Sequence, residues 1–575
     1  MMRTSLTARA LLAALLLSGG LAGCSKDDAP KDDETGKQTK AAKAGEAAAP
    51  PAAATLEAPA DVVAYGGTND LAATLDALHA LARQAVPQVP PLAAMVGPAL
   101  QGELRLTDPS VIDTKKPIRF AVIDPKAHPR SPVVVLIGIT DQAAFEKALP
   151  ATGKKQNDEG NAWSYLKFEG STRPIYVNFV DGYVAISRDK ALFGKAKDFL
   201  GKLATAKMPD LGGAFVEIDN LIAKFGPDFD AGLAQAKQMA AMAAQTTPGG
   251  AQQAEMLNAI FDWVGQAARE TDHIRLSLAT EADGARLDVR FQPKKGSALA
   301  KTISSLKGTG APDLLAKLPA DAPVFFAAAV APEAMADLAG RMADVMVVGP
   351  IFGADKAKGQ IYVDAMVEYA KAIDGKVAVA AHTAPDGKGL ALTGLFGVKD
   401  AAAARAAQKK LTGMYTDEAA QAYYQQSGVS VDYKPAAYEV NGVKVDIIAT
   451  QLNNMPPAAA QFAGMMKELM TQHVAIGEKL GVMAYGTEGK PVVEAALTGK
   501  LPGGLDAAPG VQRAVKNAAA NTNFLMYVRP IELAKRIQLG GMNPLANALA
   551  GVENTTGIAI SSGVTGDQMQ LVIDV

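Results

Sequence analysis

The chain has 575 residues and a mass of 59.4 kDa; 49% of its residues are hydrophobic and 20% are charged. This supply of apolar side chains excludes a wholly disordered protein, and the length corresponds to two to four domains. Lys and Arg total 57 against 59 Asp and Glu, and there are 2 Trp, so neither a basic surface for nucleic acid nor a broad aromatic stacking platform is expected.

The N-terminal residues have the layout of a secretory signal. Arg3 and Arg9 precede an apolar run, Ala10 to Leu17, which is too short to span a bilayer. The residues Leu21-Ala22-Gly23-Cys24 follow, and Cys24 is the single cysteine of the chain. This segment resembles the lipobox of bacterial lipoprotein precursors.

The resemblance implies a signal peptide of residues 1–23, cleavage before Cys24 and lipidation of Cys24. Several acyl chains on one cysteine give lasting attachment to a membrane. Ser25, rather than Asp, follows the cysteine, which implies sorting to the outer membrane of a bacterial cell envelope. The alternative is an ordinary cleaved signal with an incidental cysteine.

Residues 24–57 are expected to form the lipidated cysteine and a disordered tether. The segment is built from Lys, Asp, Glu, Ala, Thr and Pro with almost no branched apolar residue, a composition that does not support a core. Its charges nearly cancel, so its mean reach as a flexible coil is roughly 30 Å. A charged binding tail is the alternative interpretation.

The sequence after the tether predicts an internal repeat; coincidental α+β periodicity is the alternative. Pro59-Ala60-Asp61 opens an apolar run followed by a helical pattern, and Pro319-Ala320-Asp321 does the same. Further similar pairs follow in the same order: 96–98 with 348–350, 138–141 with 397–400, 182–185 with 481–484, 214–219 with 523–528, and 274–291 with 558–575. The order predicts two copies, residues 58–310 and 311–575. The second copy is expected to carry extra sequence between about 412 and 475, and the first a longer helical stretch between about 226 and 272.

Each copy is predicted to be an α+β domain. Short runs rich in branched and aromatic residues predict strands, such as Val133 to Ile137 and Tyr183 to Ser187, and Asp181-Gly182 and Asn441-Gly442 predict hairpin turns. Helices are expected to start at Asp141, Asp189, Asp219 and Asp400. The predicted fold is two tandem related domains, each a mostly antiparallel sheet with helices packed on one face.

No motif for catalysis, cofactor binding or metal binding is found. The five histidines, His79, His128, His273, His382 and His473, are scattered, and no helical metal pair, phosphate loop or nucleophile elbow occurs. We therefore expect a protein that is not an enzyme and has no catalytic residues, metal or cofactor. A hydrolase assembled from distant segments is a remote alternative.

Methionines on Ala-rich helices are the most distinctive candidate site. They are Met239, Met242 and Met256 in the first copy and Met465, Met466 and Met470 in the second. Such side chains suit adaptable apolar surfaces and could form a lid over a groove for acyl chains or a partner helix; ordinary core packing is the alternative.

The resulting expectation is a non-catalytic binding or scaffold module, anchored to the membrane through Cys24, with an envelope protein or polymer as partner and no nucleic acid. The alternative is a carrier or sensor of an apolar, lipid-like ligand held by the Met-rich helices. The pattern of a lipobox followed by repeated Pro-Ala-Asp units resembles uncharacterised bacterial lipoproteins, and that resemblance implies no activity.

Overall fold

A computed structural model describes most of the chain after the expected tether. The described residues are 56–85, 91–92, 94, 104–129, 131–151, 154–156, 162–166, 174–244, 250–281, 284–310, 313–343, 351–352, 355–383, 390–426, 428–452, 470–486, 489–536 and 557–575. The signal segment and Cys24 lie outside them, as do residues 96–98 and 348–350 of the repeat. Leu56 lies just inside the expected tether, and its carbonyl accepts a hydrogen bond of 3.2 Å from the Tyr65 hydroxyl.

The fold is α+β, as the sequence predicts, and its strands pair antiparallel. The chain divides into two compact units: the first contains residues up to Lys224 with Leu276–Ala285, and the second contains Phe225–Arg275 with Arg286–Val575.

The strands are numbered in chain order. They are β1 (Val62–Thr68), β2 (Ile118–Ile123), β3 (Val133–Gly138), β4 (Lys154–Gln156), β5 (Ala162–Leu166), β6 (Pro174–Val180), β7 (Tyr183–Ser187), β8 (Gly212–Glu217), β9 (Thr271–Glu281), β10 (Gly284–Pro293), β11 (Val324–Ala329), β12 (Ile373–Thr383), β13 (Leu390–Val398), β14 (Val429–Val440), β15 (Val443–Leu452), β16 (Thr471–Ile476), β17 (Leu480–Tyr485), β18 (Thr522–Val528), β19 (Ile558–Thr565) and β20 (Gln568–Asp574).

The α-helices are numbered in the same way. They are α1 (Leu71–Ala85), α2 (Gln142–Ala148), α3 (Ala191–Lys195), α4 (Lys197–Thr205), α5 (Ile218–Ala244), α6 (Gly250–Glu270), α7 (Ala298–Ser305), α8 (Pro332–Ala343), α9 (Lys356–Ala372), α10 (Ala401–Thr412), α11 (Glu418–Gln426), α12 (Gly489–Leu497), α13 (Pro509–Asn517) and α14 (Pro530–Arg536).

In the first unit the strands pair in the order β4-β5-β6-β7-β3-β2-β1-β8. In the second unit the order is β14-β15-β16-β17-β13-β12-β11-β18-β19-β20-β10. The first-unit order therefore recurs in the second unit when ten is added to each strand number.

Local sequence explains most of these elements. Strand β2 alternates half-buried and buried residues, which is the period of a strand with one face on a core. Asp181 and Asn441 have φ of 44° and 50° and are each followed by a glycine with φ of 79°, the left-handed pair that a tight hairpin turn requires. Both predicted hairpins, β6–β7 and β14–β15, are therefore confirmed.

Two of the four expected helix starts are side-chain caps. Asp141 accepts a hydrogen bond from the Ala144 amide at the start of α2, and Asp400 accepts one from the Ala403 amide at the start of α10. The other two expectations are off by one or two positions. Helix α3 starts at Ala191, with Asp189 just before it, and Asp219 lies inside the first turn of α5.

Each unit has its own hydrophobic core. In the first unit Tyr65 stacks on Phe215 with ring centroids 4.9 Å apart, and Phe199 meets the Tyr65 ring edge-on at 5.3 Å. In the second unit Phe325 and Tyr527 lie within a cluster of buried residues from β11, β12, β17 and β18. Burial of such apolar surface is the main stabilising term of both units.

The two halves differ where the sequence predicts insertions. The expected long helical stretch between about residues 226 and 272 contains α5 and α6. The extra sequence between about 412 and 475 contains α11 and the long strands β14 and β15, which have 12 and 10 residues. The corresponding strands of the first unit, β4 and β5, have 3 and 5 residues. The α5–α6 pair thus lies in the first of these stretches, and the β14–β15 ribbon lies in the second.

Candidate functional site

Helices α5 and α6 form an antiparallel hairpin within the second unit from Phe225 onward. Arg269 is ion-paired with Asp230, and Lys237 is ion-paired with Asp262. Between these pairs, a Cβ atom on Gly265 would lie 3.0 Å from Cδ1 of Leu233. The residue numbers of these contacts increase along α5 and decrease along α6, so the two helices run antiparallel.

Arg269 fixes the base of the hairpin. Its Nη1 donates to the Gly265 carbonyl at 2.8 Å, and its guanidinium lies 5.8 Å from the ring centroid of Phe229. A guanidinium at this distance from an aromatic face is attracted to the ring. The side chain thus combines an intrahelical hydrogen bond, an ion pair and a ring contact.

Few residues of the hairpin are fully buried. None of the described residues of α5 is buried, and in α6 only Ala254 and Gly265 are buried among the residues whose side chains are described. Apolar side chains on the two helices instead face solvent: Met239 is 54% exposed, Met242 52%, Ile260 46%, Trp263 60% and Val264 38%. A group of large exposed apolar side chains on one element indicates an interaction surface.

The exposed apolar residues lie on both outer sides of the hairpin. Residues three or four apart share a helix face. The inner face of α5 carries Asp230, Leu233 and Lys237, and Met239 and Met242, two and five positions beyond Lys237, fall on the opposite side. By the same spacing Ile260, Trp263 and Val264 lie away from the inner face of α6. We call these five side chains the hairpin surface.

The free end of the hairpin carries no charge. Between Lys237 and Glu255 the sequence has no Asp, Glu, Lys or Arg. Solvated helices ordinarily carry charged residues on their exposed faces. This stretch therefore carries no charge that would have to be desolvated against a partner.

The structure places the predicted methionines at different depths. Met239 and Met242 are on the hairpin surface. Met256 lies on α6, but its side chain is outside the described part of the chain, as are Met465 and Met466 entirely. Met470 is half-buried just before β16, where its carbonyl accepts a hydrogen bond of 3.0 Å from the Thr450 amide. Met470 thus lies beside a strand, whereas Met239 and Met242 lie on α5.

Sequence reasoning missed Trp263 as a site residue. The available signal was its position three residues after Ile260, which puts both on one helix face. Their exposure could not be read from that spacing, because the same pattern is typical of a helix face buried in a core.

Four of the five histidines have side-chain or backbone partners. His128 Nδ1 lies 2.6 Å from Asp189 Oδ2, and His273 Nδ1 lies 3.0 Å from Asp272 Oδ2. His382 contacts the Thr383 carbonyl at 2.9 Å and the Thr393 hydroxyl at 2.7 Å, and His473 contacts the Tyr438 hydroxyl at 3.0 Å. Burial lowers the pKa of both His382 and His473, which favours neutral rings.

Within the described ranges, no group of three or more His, Cys, Asp or Glu residues has the arrangement of a metal site. The helices of the same ranges include none that is both long enough and apolar enough to cross a bilayer. Comparison with known proteins finds no matching family model, no matching curated protein and no matching solved structure.

Proposed function

We propose that this chain is a lipid-anchored protein of the bacterial cell envelope that acts as a non-catalytic binding module, docking a partner protein through the α5–α6 hairpin. The anchor rests on the sequence: a lipobox ends in Cys24, the single cysteine, and a low-complexity tether follows it. On this proposal the signal of residues 1–23 is removed and the chain resides at the outer membrane.

The proposal includes two tandem related α+β domains. It is supported by the strand order that recurs between the first and second units. Two capped helices also support the duplication. Helix α2 follows β3 and helix α10 follows the equivalent strand β13, and each helix starts after a capping aspartate. Duplicated domains diverge most in insertions, and the hairpin is such an insertion.

The observation that carries the binding function is the exposure of the hairpin surface. Trp263, with 60% of its surface exposed, is a residue type that often dominates binding energy when a partner covers it. A carrier of an apolar ligand would need its methionines to close over a cavity. The exposure of Met239 and Met242, both above 50%, instead favours docking against another surface.

The distribution of the apolar side chains suggests the shape of the partner. Met242 lies away from α6 on α5, and Trp263 lies away from α5 on α6, so a partner that covers both must contact both helices. A groove between two elements of the partner would cover both sides at once. The uncharged end between Lys237 and Glu255 matches a groove lined by small and apolar side chains, because an unpaired charge there would lose its hydration.

Site-specific photo-crosslinking in intact envelopes tests this function. A photoreactive amino acid is introduced at Met242 in one variant and at Trp263 in another, and the adducts are identified by mass spectrometry. Both positions are expected to crosslink to the same envelope protein, and the crosslinked peptides should come from two different segments of that protein. The matched control is Ile361, which is 56% exposed on α9, away from the hairpin.

Adducts at Ile361 equal to those at the two hairpin positions would overturn the proposal, because they would reflect exposure alone. Adducts only with a second copy of this chain would replace a distinct partner with self-association. Adducts with lipid at both hairpin positions would assign the surface to the bilayer instead.

A further inference from the structure

A cleft in the second unit lies beside the β14–β15 ribbon, on the insertion that enlarges this half. It has a volume of about 470 Å³, within the range of small-ligand sites. Its lining comes from α10, β14, β15 and β16: Arg405, Gln408, Lys409, Tyr433, Pro435, Ala436, Gly442, Val443, Lys444, Asp446, Val474 and Ile476. We call it the ribbon cleft.

A bulge in β14 shapes the rim of the cleft. The pairing of β14 with β15 shifts register between Lys434 and Tyr438, and Ala436 within the bulge has a φ of 48°. A non-glycine residue in this left-handed region is strained and persists only where its surroundings hold it. Here the Ala436 amide donates to Asp446 Oδ1 at 2.8 Å.

The single acid lining the cleft already has donors on both of its oxygens. Oδ1 of Asp446 accepts from Ala436, and Oδ2 accepts from the Tyr433 hydroxyl at 3.0 Å and from Gln408 Nε2 at 3.2 Å. A carboxylate with these three donors is well satisfied. It orders the ribbon against α10 and has little capacity left for a cation.

The lining cations are less fully neutralised. Arg405 donates from Nε to the Ile476 carbonyl at 3.1 Å and pairs through Nη2 with Glu478 at 2.7 Å, but the Glu478 side chain is 80% exposed and outside the lining. Lys409 and Lys444 have no ion pair within the described part of the chain. Glu439, the cross-strand neighbour of Lys444, does not line the cleft.

The lining therefore has a formal charge of +2, because Arg405, Lys409 and Lys444 outnumber the one acid, Asp446. The lining also contains Val474 and Ile476, which are 7% and 3% exposed, whereas the Val443 side chain packs against the core of the second unit. Cationic groups beside an apolar surface match a ligand that has both an anionic and an apolar part.

We propose that the ribbon cleft binds the phosphate or carboxylate group of a small amphiphilic ligand, with Lys409 and Lys444 at the anion and Val474 and Ile476 against its apolar part. This site lies on other elements than the hairpin surface and goes beyond the proposed docking function. Loss of one would leave the other intact.

Calorimetric titration of the purified full-length chain with hexyl phosphate tests the proposal. The wild-type chain is expected to bind hexyl phosphate more tightly than inorganic phosphate or hexanol. The double variant Lys409→Gln/Lys444→Gln is expected to lose about a hundredfold in affinity, since it removes two charge-assisted contacts and each is worth about a factor of ten.

A matched control removes two other lysines with the same change in net charge. Lys410 pairs with Glu368 and Lys434 pairs with Asp432, and neither lines the cleft. The variant Lys410→Gln/Lys434→Gln is expected to bind hexyl phosphate within about twofold of wild type, because exposed ion pairs contribute little.

Three outcomes would overturn the inference. Equal losses in the two double variants would indicate general electrostatic attraction, and no binding by wild type would remove the site. Equal affinity for inorganic phosphate and hexyl phosphate would show that the cleft does not contact the apolar part of the ligand. A titration with hexanoate distinguishes a carboxylate from a phosphate. Whichever of hexanoate and hexyl phosphate binds more tightly identifies the anionic group that the cleft prefers.

Discussion

Arg536, at the end of α14, donates from Nη1 to Oδ2 of Asp321 at 3.0 Å and also to the Asp321 carbonyl at 2.8 Å. Asp321 is the last residue of the second Pro-Ala-Asp motif and lies just before β11. The contact therefore connects the residues just before β11 to α14, the helix that follows β18, and β18 is paired with β11.

The first unit contains the same relationship with different chemistry. Lys224, on the helix that follows β8, places its Nζ 2.7 Å from Oδ1 of Asp61, the last residue of the first motif. The hydrogen bond to Asp61 is the main cause of the raised pKa of Lys224, and the charges of Asp61 and Asp124 add to it. Both motifs thus end in an acid held by a cation from an equivalent helix.

Replacing Asp321 with Ala is expected to lower the free energy of unfolding by about 1 kcal/mol. The substitution removes the carboxylate that accepts a 2.7 Å hydrogen bond from the Thr383 hydroxyl and that pairs with Arg536. Because the site is partly exposed, solvent screening limits the contribution of the ion pair to the free energy of unfolding. Urea denaturation measures the change. Asp506→Ala, on a surface turn, is the control expected to stay within about 0.5 kcal/mol.

The effect of Asp321 should depend on pH. Burial raises the pKa of Asp321, but hydrogen bonds from Thr383 and the charge of Arg536 outweigh burial and hold the pKa below its ordinary value. For a carboxylate with a lowered folded-state pKa, the stabilisation is complete above the ordinary pKa of about 4 and is lost as the pH falls through the folded-state pKa. The difference between wild type and Asp321→Asn should shrink over that range. A difference that is constant with pH would argue against an ionised Asp321.

His382 is expected to destabilise the protein as the pH falls below neutrality. Burial lowers its pKa despite the hydrogen bond to the Thr383 carbonyl and the nearby Asp321. The unfolded chain therefore binds a proton at a higher pH than the folded chain, and stability falls below an unfolded pKa of about 6.5. His382→Gln should flatten the pH dependence of the urea midpoint below pH 6.5. An unchanged slope would mean that His382 is already protonated in the folded state or that His473 dominates.

Arg119 is expected to be important for the stability of the first unit. Its side chain is 1% exposed, and its guanidinium donates to the carbonyls of Leu203, Ala206 and Ile118, two of which end α4. Burial lowers the pKa of this arginine to about 10, which leaves it charged near neutral pH. Arg119→Met removes the guanidinium donor from all three carbonyls, of which Leu203 keeps the Ala206 amide as a second donor, and should cost about 2–3 kcal/mol.

Urea unfolding followed by Trp163 fluorescence in a Trp263→Phe background measures this cost, because Trp163 lies on β5 of the first unit. Arg188→Met, at an exposed position, is the control expected to change stability by less than about 0.5 kcal/mol. Similar small effects for both variants would show that water replaces the lost donors at the end of α4.

Trp263→Ser should barely affect folding although it removes a large apolar side chain. With 60% of its surface exposed, Trp263 contributes little burial to the free chain, so a loss of less than about 0.5 kcal/mol is expected. Phe325→Ala, at a site 1% exposed in the same unit, should cost about 3–5 kcal/mol. A large loss for Trp263→Ser in thermal unfolding would place this residue in a core and remove the basis of the hairpin surface.

The anchor proposal predicts that Cys24→Ser releases the chain from membranes. The wild-type chain should stay in the membrane fraction after a high-salt wash and dissolve in detergent, because several acyl chains hold it. Ser25→Asp keeps the thiol and should retain the lipid while changing the membrane to which the chain is sorted. Mass spectrometry of the N-terminal peptide checks the lipid directly, and a wild-type chain that salt alone releases would contradict the anchor.

Many elements of the body could be predicted from local sequence. Asp181-Gly182 and Asn441-Gly442 lie at the confirmed hairpin turns, and Asp141 and Asp400 cap the expected helices. These signals act over a few residues, because backbone sterics and capping hydrogen bonds depend on immediate neighbours. The repeated Pro-Ala-Asp motif was visible in the same way, but its partners were not: Lys224 and Arg536 lie 163 and 215 residues from Asp61 and Asp321.

The sequence by itself determined an α+β chain with antiparallel hairpins, and it is the sole basis for the predicted signal, anchor and tether. Only the tertiary structure decided which apolar helix faces are left uncovered and which charges meet. Met239 and Trp263 have the spacing of core residues, and only their exposure of 54% and 60% in the folded chain distinguishes them. Lys409 and Lys444 lie on a helix and a strand that folding brings to one cleft. Exposure and convergence depend on contacts between distant segments, which local propensity does not encode.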